Sequence, residues 1–196
     1  MGNRTAEISR KTKETDIFVK IDLDGTGKAD INTGIGFFDH MLNSFAKHSF
    51  IDLEIKVNGD LAVDGHHSVE DTGIVLGEAL KKALGDKTGI KRYGSSILPM
   101  DETLVMAAVD FCGRPYFNYD LNFTIPRIGE LDSELIREFF YAVSYSAAMN
   151  LHLKQLDGSN NHHIAEAAFK AFAKAVDEAK TMDPRVTGTL STKGSL

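Results

Sequence analysis

Four of the seven histidines in this 196-residue chain stand in two adjacent pairs, His66-His67 and His162-His163, each followed three residues later by a glutamate, Glu70 and Glu166. At the start of a helix the second histidine and the glutamate are related i to i+3 and share a face. His67 with Glu70, and His163 with Glu166, can then each grip one ion. The first histidine of each pair points about a quarter turn away, which suits two ions better than one. Imidazole and carboxylate without thiolate fit manganese, iron or zinc, and a mixed nitrogen and oxygen set with open positions leans toward octahedral manganese or iron.

Such residues need helices to carry them. His66 to Leu84 reads as a helix with Asp64 as its N-cap and Gly85 after its end, and His162 to Lys180 reads as another. Upstream of the first, Asp16 to Leu23 alternates as a strand into Asp24-Gly25-Thr26-Gly27, a hairpin signal that leads to a second strand at Lys28 to Asn32. Phe37 to Lys47 has helical spacing, and Asp52 to Val57 returns to period two. The second half repeats the order: strands at Thr103 to Phe111 and Tyr116 to Phe123, a helix at Ser133 to Met149 capped by Ser133, a strand at Leu151 to Gln155, then the helix of the second pair.

The chain therefore looks duplicated. With the histidine pairs superimposed and one turn shortened by two residues, HMLNSFAKHSFIDLEIKV falls on EFFYAVSYSAAMNLHLKQ, so that Leu42 meets Phe140, Leu53 meets Leu151 and Ile55 meets Leu153. His40 falls on Glu138, and each half then offers one single ligand type and one HHxxE set. His152 aligns with Glu54 on an alternating strand and reads as a surface residue or a support to the ligands; His48 aligns with Ser146 and has no assigned role. The expected fold is α+β, a doubled strand-strand-helix-strand-helix unit with halves at 1–92 and 93–196 in one compact domain.

Composition bounds the function. A chain with 42% hydrophobic and 26% charged residues builds an ordinary core. Its single cysteine, Cys112, excludes a disulfide framework and a thiolate zinc site, which points to a reducing compartment. There is no membrane-length apolar run and no apolar signal stretch at the start, so the expected location is the cytoplasm, or an organelle after removal of a targeting peptide. A net charge of −6 without a basic cluster argues against nucleic acid as a partner.

The stretches FFDHML (Phe37–Leu42), DGHHSVED (Asp64–Asp71), PMDE (Pro99–Glu102), GRPY (Gly113–Tyr116) and NHHIAEAAFKAF (Asn161–Phe172), in this order, resemble the imidazoleglycerol-phosphate dehydratase family of histidine biosynthesis. The resemblance runs from KET at Lys13–Thr15 to STKG at Ser191–Gly194, and the length suits the monofunctional form. It implies a lyase that dehydrates D-erythro-imidazole-glycerol phosphate to imidazole-acetol phosphate. The proton to be removed lies on a carbon beside an imidazole ring and is barely acidic in water. Two metal ions holding the ring as an imidazolate would permit its loss, through a diazafulvene-like intermediate.

The resemblance further implies two Mn²⁺ per active site, other divalent transition metals remaining open. It carries over His40, His67, His163 and Glu70 as one ligand set and His66, His162, Glu166 and Glu138 as the other, with His67, His163 and Glu166 also catalytic. Glu14, within KET, takes an acid/base role; its plain alternative is a strand-end charge. The family pattern assigns phosphate to Arg92, Arg114, Lys170, Ser191 and Lys193. Lys170 has separate support, four residues after Glu166 and seven after His163 on one helical face, and Arg114 lies in a tight loop where a guanidinium can grip phosphate bidentately. The family fold pairs ferredoxin-like halves whose two sheets enclose four helices, and it assembles as twenty-four subunits with shared active sites. A metal-dependent hydrolase and a noncatalytic metal-binding shell are the rival readings; retention or release of phosphate separates the first of them.

Overall fold

Every second residue of Thr15–Asp22 is buried, Ile17, Val19 and Ile21 among them, while Asp16 and Lys20 face outward. One such face, shared by neighbouring strands, demands a cover of helices. The computed structural model describes residues 4–194 and 196. Its elements run β1 (Thr5–Lys11), β2 (Thr15–Asp22), β3 (Ala29–Asn32), α1 (Gly36–Ser49), β4 (Asp52–Gly59) and α2 (His66–Leu84). The second half runs β5 (Tyr93–Met100), β6 (Thr103–Asp110), β7 (Tyr116–Asp120), a two-stranded insert of β8 (Arg127–Ile128) and β9 (Leu131–Asp132), then α3 (Glu134–Ser146), β10 (Asn150–Asp157) and α4 (Asn161–Lys180).

The duplication is visible in the topology. One sheet has the order β1-β2-β4-β3 and the other β5-β6-β10-β7, each with antiparallel neighbours except for the parallel outer pairs β3 with β4 and β7 with β10. The four helices lie between the sheets: α2 packs on β1 and β2 and against α3, while α4 packs on β5 and β6 and against α1. Phe139, Phe140, Phe169 and Phe172 are buried together at the centre, with ring centroids 4.7 Å apart between Phe140 and Phe169. Helices α2 and α3 touch closely through Gly73 and Gly77, where an added Cβ would come within 2.8 Å of Ala142 Cβ and 2.7 Å of the Val143 carbonyl.

Three local expectations are corrected. Each half begins with one more strand than its pattern shows, β1 and β5, because edge strands such as TAEISRK and YGSSILPM bury only one partial face and tolerate Gly94 and Pro99. The Asp24–Gly27 turn is not a hairpin: Asp52 Oδ1 accepts the backbone N–H of Thr26 (2.7 Å) and Lys28 (2.8 Å), and the chain crosses β4 to lay β3 parallel on its far side. Ser133 stands at the N-cap position of α3 but its hydroxyl donates to the Ile125 carbonyl (2.8 Å), and the helix stops at Ser146, before the left-handed Ala148.

Candidate active site

Both histidine pairs sit in the first turn of a helix. At α4, the side-chain oxygen of Asn160 accepts the N–H groups of His162 (3.0 Å) and His163 (3.3 Å), which fixes the backbone of the pair. At α2, Gly65 occupies the cap position, and Asp64, one residue earlier, still accepts from His66 N (2.8 Å). His40 lies in the first turns of α1, which Asp39 anchors by accepting from Thr33 N (2.8 Å) and Thr33 Oγ1 (2.6 Å).

The glutamates pair with the first histidine of each pair, not the second. His162 Nε2 is 3.1 Å from Glu166 Oε2, and His66 Nε2 is 3.8 Å from Glu70 Oε2. Residues four apart differ by about 40° around a helix and residues three apart by about 60°, so both spacings are open. Carboxylates from elsewhere decide between them. His163 Nδ1 lies 2.7 Å from Glu102 Oε2 and His67 Nδ1 lies 3.0 Å from Asp60 Oδ2, which swings both second histidines away from their own helix's glutamate.

One donor cluster forms among the described residues. His40, His162 and Glu166 bring ligand atoms within 4.8 Å of one another, with His40 Nε2 3.7 Å from Glu166 Oε2. Ligands about 2.2 Å from one ion and at right angles stand about 3.1 Å apart, the His162–Glu166 separation, so this nitrogen-nitrogen-oxygen set suits a six-coordinate divalent transition metal with positions left open. Burial of Glu166 opposes its ionisation, but Lys170 Nζ at 2.7 Å, with His162 and His40, outweighs that and holds the carboxyl below its ordinary value. Hydrogen bonding to Asp60 raises the His67 pKa and hydrogen bonding to Glu102 raises that of His163.

The duplicate of this cluster is not closed. Glu138, the counterpart of His40, directs its carboxylate to Arg137 Nη1 (2.8 Å), leaving His66 and Glu70 without it. Glu14 is exposed on the β1–β2 turn, with Oε2 3.8 Å from His67 Nε2. Its turn is pinned from beneath by Thr15 Oγ1, which donates to buried Asp71 (2.5 Å), a residue also paired with Arg10.

The cations assigned to phosphate fall into two places. Arg92, Arg114, Ser191 and Lys193 line one open cavity of about 770 Å³, joined there by Arg185. Arg92 is braced by Asp110 (2.7 and 3.1 Å) and donates to the Leu190 carbonyl (2.8 Å), tying the C-terminal segment across the cavity. Lys170 stands apart, on Glu166. Sequence reasoning missed Arg185, Asp60 and Glu102. Only Glu102, inside the PMDE stretch, carried a local signal. His152 is exposed beside Tyr116, with ring centroids 5.4 Å apart, and burial lowers the pKa of His48.

This arrangement has close relatives. The imidazoleglycerol-phosphate dehydratase family model matches residues 33–176. A protein of that name from Lachnoclostridium phytofermentans is 68% identical over 194 residues, covering 99% of each chain. The chain belongs to the imidazoleglycerol-phosphate dehydratase family. A further family relative, from Agrobacterium fabrum, is 54% identical over 197 residues and is covered in full. The crystal structure of the family's enzyme from Staphylococcus aureus subsp. aureus N315 superimposes with a TM-score of 0.83 at 38% identity, over 91% of this chain and 99% of that one. The Pyrococcus furiosus structure also gives 0.83, at 41% identity, over 96% and 100%. Family membership makes the chain a dehydratase of histidine biosynthesis acting on a small molecule, and its α+β fold with two four-stranded sheets and four helices is the family's own. No helix among the described residues is long and apolar enough to cross a membrane.

Proposed function

We propose that the chain dehydrates D-erythro-imidazole-glycerol phosphate to imidazole-acetol phosphate with two Mn²⁺ per active site, in sites shared between subunits of a twenty-four-subunit particle in the cytoplasm. The observation that carries the metal reading is the convergence of His40 from the first half with His162 and Glu166 from the second. His66, Glu70, His67, His163 and Glu138 complete the proposed ligand complement. When bound, the ions would hold the substrate ring as an imidazolate and so acidify the adjacent C–H.

The chain's own residues do the rest. Glu14 takes and returns the proton on the glycerol chain, a reading supported by its exposure and by its carboxylate lying 3.8 Å from His67 Nε2. Arg92, Arg114, Ser191 and Lys193 hold the phosphate end, and Lys170 keeps Glu166 ionised and oriented. The donor cluster and the phosphate cavity share no residue, which supports a substrate that spans surfaces brought together by more than one subunit. The buried, unpaired thiol of Cys112 is in keeping with a reducing compartment.

The deciding experiment strips the protein with a chelator, restores Mn²⁺ in counted equivalents and follows both ketone and inorganic phosphate. Ketone formation saturating at two equivalents, with phosphate retained, is expected. Full turnover at one equivalent, or without metal, overturns the two-ion reading.

A further inference from the structure

The duplication makes a comparison within the molecule that the ligand sets alone do not. β2 begins at Thr15 and β6 at Thr103, both strands are eight residues long, and each follows a tight turn whose last residue is a glutamate. Glu14-Thr15 and Glu102-Thr103 are thus the same two positions in the two halves. Their side chains differ in what they hold. Glu102 is fully engaged: Oε1 accepts from Asn160 N (2.9 Å), Ser159 N (3.3 Å) and Thr103 Oγ1 (3.0 Å), and Oε2 meets His163 Nδ1 at 2.7 Å. Glu14 instead points its carboxylate toward the opposite nitrogen of the equivalent histidine, 3.8 Å from His67 Nε2. Asp60, from the β4–α2 connection, takes the Nδ1 side of His67.

We propose that Asp60 and Glu102 are positioning residues, each holding the Nδ1–H of the second histidine of a pair so that Nε2 is presented to a metal ion. The proposal rests on the metal reading above. A carboxylate only accepts hydrogen bonds, so a ring nitrogen held by one must be the protonated nitrogen, and a neutral imidazole then carries its lone pair on the other. That selects both tautomer and ring direction, the role such partners play for metal-bound histidines. The two halves reach this end from different chain positions. In the second half the turn glutamate does the work; in the first, Asp60 does it and leaves Glu14 unengaged at the face where Nε2 points. On the Nε2 side, Glu14 Oε2 stands 3.8 Å from His67 in the first half and Asp101 Oδ2 stands 3.5 Å from His163 in the second.

The test is Mn²⁺ affinity of the chelator-stripped, full-length protein, measured from the free-ion paramagnetic resonance signal. Asp60→Ala and Glu102→Ala are each expected to weaken binding about ten- to hundredfold. Asp60→Asn, which keeps an acceptor oxygen, should recover most of the loss. Thr103→Val removes one of the bonds that Glu102 makes to its own turn without touching His163, and should stay within about twofold of the unaltered protein. Circular dichroism checks that each variant folds; among the described residues the Asp60 side chain bonds only to His67, so its variants remain informative if those at Glu102 unfold. Unchanged affinity in Asp60→Ala overturns the proposal alone. Loss in Thr103→Val equal to that in Glu102→Ala does so for Glu102, assigning it to the turn. An unaltered protein that binds no Mn²⁺ overturns the metal reading and this proposal together.

Discussion

His162 Nε2 stands 3.1 Å from Glu166 Oε2, one turn further along the same helix. The glutamate's other oxygen is held by Lys170, so the carboxylate is aimed as well as ionised. Glu166→Gln removes the charge at nearly constant shape. A lost metal ligand forfeits several kcal/mol of transition-state stabilisation, so turnover should fall at least about a hundredfold with the loss of one Mn²⁺ equivalent. Metal analysis beside steady-state kinetics checks both; full metal content at normal turnover would place Glu166 outside the site.

Glu138 is the sharper case, because in the single chain it is paired with Arg137 and not with His66 or Glu70. As a ligand in the assembled protein, Glu138→Gln should lose one metal equivalent or most of its affinity. A pair with Arg137 alone would shift stability by less than about 1 kcal/mol and leave the metal in place. Metal stoichiometry and a denaturant titration on the same sample distinguish the two.

Lys193 lies exposed in the C-terminal segment and lines the cationic cavity without entering the core. Lys193→Ala should raise KM for substrate about tenfold or more, the order of a charge-assisted phosphate contact, while leaving the melting temperature unchanged. A lowered melting temperature with ordinary KM would make the residue structural.

Removing the ions should loosen the particle as well as silence it, since ligands on separate segments are drawn together by the metal. Light scattering before and after chelation measures this. Constant particle mass with the metal shown to be gone counts against it.

Acid should undo one anchor of the C-terminal segment. Asp183 accepts from Arg185 Nε (2.9 Å), Nη2 (2.6 Å) and backbone N, and these bonds hold its carboxyl well below the ordinary 3.8. A folded-state value below the unfolded one means a contribution fully present above about pH 4 and lost as pH falls through the folded value. The melting temperature of Asp183→Asn should therefore lie below wild type at neutral pH, with the gap closing in acid. A gap that stays constant down to pH 2 would reject the assignment.

What the amino-acid sequence determined alone is what depends on short separations. The span of α2 from His66 to Leu84, the placement of both histidine pairs in a first helical turn and the repeat that sets His40 against Glu138 all follow from spacing within a few turns of chain. Hydrophobic periodicity and capping act locally, so they are legible locally. Tertiary structure decided the rest. Spacing pointed to the second histidine of each pair as the glutamate's partner; Glu102, 61 residues from His163, and Asp60, on the connection before α2, hold the second histidines instead and leave the first to face it. The strand order β1-β2-β4-β3 displaced the expected hairpin, and Arg185 joined Arg92 and Arg114 only because the segment after α4 folds back along the α2–β5 connection, Met182 bridging to Ile90 and the Leu190 carbonyl accepting from Arg92. In each case the energy that selects the arrangement comes from groups distant in sequence, hydrogen bonds and buried faces that exist only once the sheets have closed over the helices.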